Sequence, residues 1–272
     1  MGRASFVAMT KSALVHTHEP PLPAQSVRIP QRGFTIDRRK ALTAAAVCWL
    51  GFAAIVWLVL QGRTGSFDDF GLLAARREGD LDFAGSHLML EIVRDTTALG
   101  GVFLRNLFAL AAVVALLFLS LRREAVLFAM TVAGGWIANS ALKGIVGRER
   151  PQIVPHLMEA GGESFPSGHS FNSAVVYIAL ALAFASMSSR HSVRYVLIGS
   201  AMVLSAMIAW SRVMLGVHFP SDVTAGWLGG AGWAFLAAAL LYKPAKAAAD
   251  SEVAETLDPT TAAHSEHPAA PR

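Results

Sequence analysis

ALTAAAVCWLGFAAIVWLVL, residues 41–60, carries no charged side chain across 20 consecutive positions. As an α-helix rising 1.5 Å per residue it would extend about 30 Å, the thickness of the hydrocarbon layer of a bilayer. The rest of the chain agrees with that environment. Of its 272 residues 54% are hydrophobic and only 15% charged, with a mean hydropathy of +0.46, which excludes an ordinary soluble domain. Working outward, further apolar runs lie at about 102–121, 125–143, 171–187, 195–210 and 223–241. The expected fold is therefore all-α, a polytopic membrane bundle of about six transmembrane helices. The fifth run is the weakest, being short and interrupted by Gly199 and Ser200. Its alternative is a buried or re-entrant segment, although such small residues are common where membrane helices pack.

Lys and Arg flank the runs unevenly. Arg38, Arg39 and Lys40 precede the first, Arg122 and Arg123 separate the second from the third, Arg190 and Arg194 the fourth from the fifth, and Lys243 and Lys246 follow the sixth. With alternating spans all four positions share one side, which the positive-inside rule makes cytoplasmic. Both termini are then expected in the cytoplasm, with segments 61–101, 144–170 and 211–222 outside. The outer segments also carry Arg63, Arg76, Arg77 and Arg94, so the cluster before the first span decides the orientation.

Residues 1–37 are polar and Pro-containing, and residues 243–272 are rich in Ala, Pro and acidic groups. Neither can bury enough apolar area to order itself, and both are expected to be disordered cytoplasmic tails on a membrane domain spanning 38–242. No cleavable signal peptide is evident, because the first apolar run begins near residue 41 and is long enough to remain as an anchor. Cys48 is the sole cysteine, which excludes disulfides and thiolate metal sites within one chain.

Three polar blocks interrupt this apolar plan: Lys143 with Arg150-Pro151, then Pro166-Ser167-Gly168-His169, then Ser211-Arg212 followed by His218 and Asp222. Taken alone, the first reads as a basic edge facing lipid headgroups, the second as a helix N-terminus capped by Ser167, and the third as a structural His–Asp contact. Taken together they supply complementary needs of phosphoryl transfer. Lys143, Arg150 and Arg212 are cations for phosphoryl oxygens, Arg through paired N–H donors and Lys as a compact charge. Ser167 and Gly168 at a helix N-terminus offer free backbone N–H groups to an anion. His169 stands where an imidazolium could protonate a leaving oxygen. Asp222, four residues after His218, can fix one ring nitrogen and leave the other free to attack phosphorus. Six alternating spans would put every block on one membrane face. The only carboxylates near the blocks are Glu149, Glu159, Glu163 and Asp222, no evident Mg²⁺ or Zn²⁺ set, so neither metal nor cofactor is expected.

The spacing Lys, six residues, Arg-Pro; Pro-Ser-Gly-His; Ser-Arg, five residues, His, three residues, Asp resembles the type-2 phosphatidic acid phosphatase family, the membrane lipid-phosphate phosphatases related to vanadium haloperoxidases. The resemblance covers about residues 40–242 in architecture and 143–222 in motifs, with a weaker likeness at Arg94–Gly100. It implies that His218 is the nucleophile forming a phosphohistidine, Asp222 its orienting partner and His169 the general acid. Lys143, Arg150, Ser167, Gly168 and Arg212 would bind the phosphoryl oxygens, without a metal ion. It further implies a multi-pass protein of a bacterial inner membrane whose site faces outward. The partners expected are the bilayer and a lipid phosphate such as undecaprenyl diphosphate, phosphatidylglycerol phosphate, phosphatidate or a lipid A phosphate, and no nucleic acid. Oligomeric state is left open. A haloperoxidase-like enzyme using vanadate, or a non-catalytic lipid phosphate binding or transport protein, are the alternatives.

Overall fold

The computed structural model of the chain describes residues 37–185 and 190–241. The two tails expected to be disordered, the Lys243 and Lys246 flank and the end of the fourth expected span lie outside the described residues. Within them the regular structure is helical, apart from one antiparallel bridge between Arg76 and Phe83. The helices are α1 (Arg38–Leu60), α2 (Gly65–Leu73), α3 (His87–Gly100), α4 (Val102–Phe118), α5 (Arg122–Val146), α6 (Gly168–Ala185), α7 (His191–Met214) and α8 (Pro220–Leu241).

The first apolar run becomes α1, which starts a little earlier because Asp37 caps it. The Asp37 carboxylate accepts from the backbone N–H groups of Arg39 at 3.0 Å and Lys40 at 3.3 Å. Five helices, α1, α5, α6, α7 and α8, are long and apolar enough to cross a membrane. The doubtful fifth run is among them: it lies inside the 24-residue α7. The second expected span is different. The 17 residues of α4 rise only about 26 Å, short of the hydrocarbon thickness. This helix is joined to α3 through the extended Gly101 with a bend of 51°, and the pair is a sixth span if taken as one and a re-entrant segment otherwise. Segment 61–101, expected only as a loop, thus contributes α2 and α3 to the bundle.

Burial sorts the helices. Only 11% of the apolar window of α1 is buried inside the protein, against 78% for α6 and 61% for α8. Among these described helices α6 is central, packed by α8, α7 and α5, while α1 lies on the far side of α8. Small residues permit this. A methyl group on Gly230 would lie 2.1 Å from the Phe171 carbonyl oxygen and one on Gly226 2.8 Å from that of Ser167, so the backbones of α6 and α8 touch directly. The small-residue face at 226–230 therefore packs within the chain. Ala174, Ile178, Ala231 and Ala234 fill the seam below, with Phe128 and Leu116 closing it from α5 and α4. The tight seam draws the start of α6 onto the start of α8, where the Ser167 N–H donates to the Asp222 carbonyl at 3.1 Å.

Candidate active site

The chain leaves α5 through Gly147, whose φ of 59° lies in the left-handed region that favours glycine. This turn sends Arg148 and Arg150 back across the bundle. Arg150 is held by backbone oxygens: its Nη2 donates to Gly161 at 2.8 Å, its Nε to Gly162 at 3.1 Å and its Nη1 to Val217 at 2.7 Å. The same Nη1 lies 3.1 Å from His218 Nε2. Lys143 Nζ donates to the Glu163 carbonyl, and its Cε would lie 3.8 Å from a methyl group on Gly168. The three sequence blocks therefore meet: the first touches the third through Arg150 and His218, the second through Lys143 and Gly168, and the second touches the third through Ser167 and Asp222.

His218 is 2% exposed and Asp222 is fully buried. The expected contact between them is present but long, 3.5 Å from Nδ1 to Oδ2. A side chain the sequence reading did not single out fills the gap. Ser164 Oγ lies 3.2 Å from His218 Nδ1 and donates a short hydrogen bond to Asp222 Oδ2. With the serine proton on the carboxylate side, its oxygen accepts from Nδ1–H. This network assigns the ring proton to Nδ1 and the lone pair to Nε2, the nitrogen under Arg150. Burial, only partly opposed by Asp222, pushes the His218 pKa down to about 4, so the imidazole is neutral near pH 7.

Asp222 accepts further bonds from the Phe219 N–H at 3.0 Å and from Arg148 Nη1 at 2.7 Å. Arg148 also pairs with Asp68 of α2 at 2.8 Å, donates to Ser221 Oγ at 2.7 Å and stacks over the Phe219 ring at 4.1 Å. Asp68 in turn accepts from the Ser221 backbone N–H at 2.9 Å and hydroxyl at 2.8 Å. Arg148 stands two residues before Arg150 in the same basic stretch, a signal that could have found it. Asp68 and Ser164 carry no local signal, because their partners lie 80 and 58 residues away.

The remaining predicted residues are Arg212, Ser167 and His169. Arg212 is 2% exposed, and its Nη1 donates to Thr97 Oγ1 at 3.0 Å and to Met158 Sδ at 2.7 Å. Thr97 belongs to the weaker Arg94–Gly100 likeness, which thereby gains a role. The Arg212 Nε is buried without a partner. Ser167 is fully buried, and its hydroxyl accepts from the Ser170 N–H at 3.5 Å, a loose form of the expected cap. His169, on the first turn of α6, stands within electrostatic reach of Arg212, His218, Arg105 and Arg150. Among the described residues no cluster of His, Cys, Asp and Glu could hold a metal ion.

Comparison with known proteins bears on this arrangement. The model of the PAP2 superfamily matches residues 124–246, a stretch containing all three blocks. The lipid A 1-phosphatase of Rhizobium etli is 36% identical over 127 residues, 43% of this chain and 50% of that protein. Phosphatidylglycerophosphatase B of Bacillus subtilis is 37% identical over 94 residues, 33% of this chain and 44% of that protein. The chain thus spans about half the length of the curated relatives it matches. The crystal structure of a transmembrane PAP2-type phosphatidylglycerolphosphate phosphatase from Bacillus subtilis superposes with a TM-score of 0.64 at 24% identity, covering 79% of this chain and 97% of the other, a likeness of fold. The motif-bearing residues 124–246 of this multi-pass membrane protein thus match the PAP2 superfamily model, and the bundle around them shares its fold with a solved PAP2-type phosphatase.

Proposed function

We propose that the protein is an integral membrane lipid phosphate phosphatase, hydrolysing a phosphomonoester or diphosphate of a lipid through a phosphohistidine on His218. The observation that carries this reading is the two-sided setting of that ring. Its Nδ1 is tied through Ser164 to a buried carboxylate, and its Nε2 meets the Arg150 guanidinium, with Arg212 within electrostatic reach of the ring. A protein that only held phosphate would need the cations but not the oriented nucleophile.

In this reading Lys143, Arg150, Arg212, the Ser167 hydroxyl and the backbone N–H of Gly168 hold the phosphoryl oxygens and gain strength as charge builds on them. His218 Nε2 attacks phosphorus in line with the bond to the leaving oxygen, and the proton on Nδ1 stays hydrogen-bonded to Ser164 while Asp222 balances the new positive charge. His169 gives a proton to the leaving oxygen, then takes one from the water that cleaves the N–P bond. The outward orientation inferred from the Lys and Arg flanks puts this chemistry at the extracytoplasmic headgroup level of a bacterial inner membrane.

The test is phosphate release from undecaprenyl diphosphate, phosphatidylglycerol phosphate, phosphatidate and lipid A by purified protein, with His218→Ala as the blank. Turnover of at least one lipid, persisting in EDTA and abolished by the substitution, is expected. An acid-labile phosphoryl label should form on the wild type and not on the variant. Folded protein that turns over none of the four would sink the reading.

A further inference from the structure

Arg105 is the one charged residue within α4, and it is 5% exposed. Among the described residues it makes no ion pair. Its only hydrogen bond runs from Nη1 to the Gly100 carbonyl at 3.2 Å, which leaves the rest of its five N–H donors without a protein acceptor. A guanidinium at membrane depth is costly unless something anionic meets it. Its position is informative. Gly100, whose carbonyl it grips, packs against the His169 ring: a methyl group there would be 3.2 Å from His169 Cδ2. On its other side Arg105 heads a cavity of about 350 Å³ between α4, α5 and α6, lined by Asn172, Trp136, Leu110, Val113 and Phe128. The cavity is apolar below Arg105 and descends along α4 as far as Val113, eight residues or about 12 Å into the bundle. Leu110 and Trp136 are each 60% exposed at its rim, so it opens sideways toward lipid.

We infer that Arg105 binds the lipid-proximal phosphate of a lipid diphosphate whose chain descends into this cavity, and that the protein therefore prefers diphosphates to monophosphates. The inference rests on the phosphatase reading of the His218 site and adds to it a second anion subsite beyond His169. The chemistry differs between the two substrate classes. With a diphosphate, His218 Nε2 bonds to the terminal phosphorus, the bond from that phosphorus to the bridging oxygen breaks, and the electron pair stays on that oxygen. The departing group is a lipid monophosphate, whose added charge Arg105 neutralises. Water then cleaves the N–P bond, releasing inorganic phosphate and restoring His218. A lipid monophosphate instead departs as an alcohol and offers Arg105 no anion, so the guanidinium stays buried and unmatched.

The experiment compares farnesyl diphosphate with farnesyl monophosphate, which share one chain. The wild type should show kcat/KM at least about tenfold higher on the diphosphate, the scale of one charge-assisted hydrogen bond. Arg105→Gln should lower the diphosphate value about tenfold further than the monophosphate value, and Arg105→Lys should restore part of the ratio. No wild-type preference, or a ratio untouched by Arg105→Gln, overturns the inference. If that variant does not fold, the wild type alone decides. A farnesyl methylene-bisphosphonate should bind at least about tenfold tighter than farnesyl phosphonate, and equal binding overturns the inference. Folded wild type that releases phosphate from neither lipid marks failure of the phosphatase reading, and the same pair of binding measurements still decides for or against the Arg105 subsite.

Discussion

The two sides of the His218 ring are built on opposite electrostatic plans. Behind it, charges are matched: Asp222 and Asp68 share Arg148, and Ser164, Ser221 and the Phe219 N–H fill the remaining acceptor positions. In front, Lys143 rests on a carbonyl, Arg150 on three carbonyls and Arg212 on a hydroxyl and a thioether, and among the described residues no carboxylate lies within ion-pair distance of any of them. The rear is complete as folded and serves orientation. The front is electrostatically unfinished, and an arriving phosphoryl dianion would complete it. Under the proposed function, orientation falls to Arg148 and phosphate binding to Arg150, only two residues apart in sequence.

If that division holds, a change in front should strike turnover and a change behind should strike stability as well. Arg150→Lys keeps a charge but loses the planar fork, and should lower kcat/KM about a hundredfold while leaving thermal unfolding in detergent near the wild-type value. A comparable loss of stability in this variant would break the comparison. Asp68→Asn removes a buried carboxylate from Arg148 without touching the phosphate side. It should cost about 3 kcal/mol of stability, read as a lowered unfolding midpoint, with a smaller fall in kcat of about tenfold. Unchanged unfolding would show that Arg148 does not depend on Asp68.

The smallest effect expected is that of pH. The folded pKa of His218, about 4, lies below its unfolded value of 6.5. Between those values the unfolded chain binds more protons, so the contribution of His218 to stability is present above pH 6.5 and lost as pH falls toward 4. For activity, the neutral nucleophile persists down to the same point. Corrected for substrate ionisation, kcat/KM should change less than about twofold between pH 7 and 5 on account of His218. An acid limb centred near 6.5 would mean that the ring is not buried as described.

Much of this molecule was legible in its sequence, and the limits have physical causes. Uncharged runs such as 41–60 read as spans and form helices long and apolar enough to cross a membrane, and the three blocks pointed by residue type to a shared site and are brought together in the fold. The 51° break at Gly101 was not readable, because Glu91, Arg94 and Asp95 before it make the stretch read as a loop and hide a helix running up to the apolar one. Asp68 and Ser164 stayed hidden, since their significance lies in partners far along the chain. Arg105 was visible as a charge inside VFLRNLFALAAVVALLF, and intramembrane cost alone could have singled it out.

Arg150 Nη1 sits 3.1 Å from Nε2, the nitrogen to which the proposed mechanism assigns the attack. In that mechanism the guanidinium must shift from Nε2 onto the phosphoryl oxygens before the ring attacks, drawn by the negative charge of the incoming group. An uncharged carboxylic ester of a membrane lipid, far more abundant in a bilayer than any phosphate monoester or diphosphate, has nothing with which to displace it. Under the proposed mechanism, chemoselectivity among esters would therefore arise in the unmasking of the nucleophile, before any question of fit.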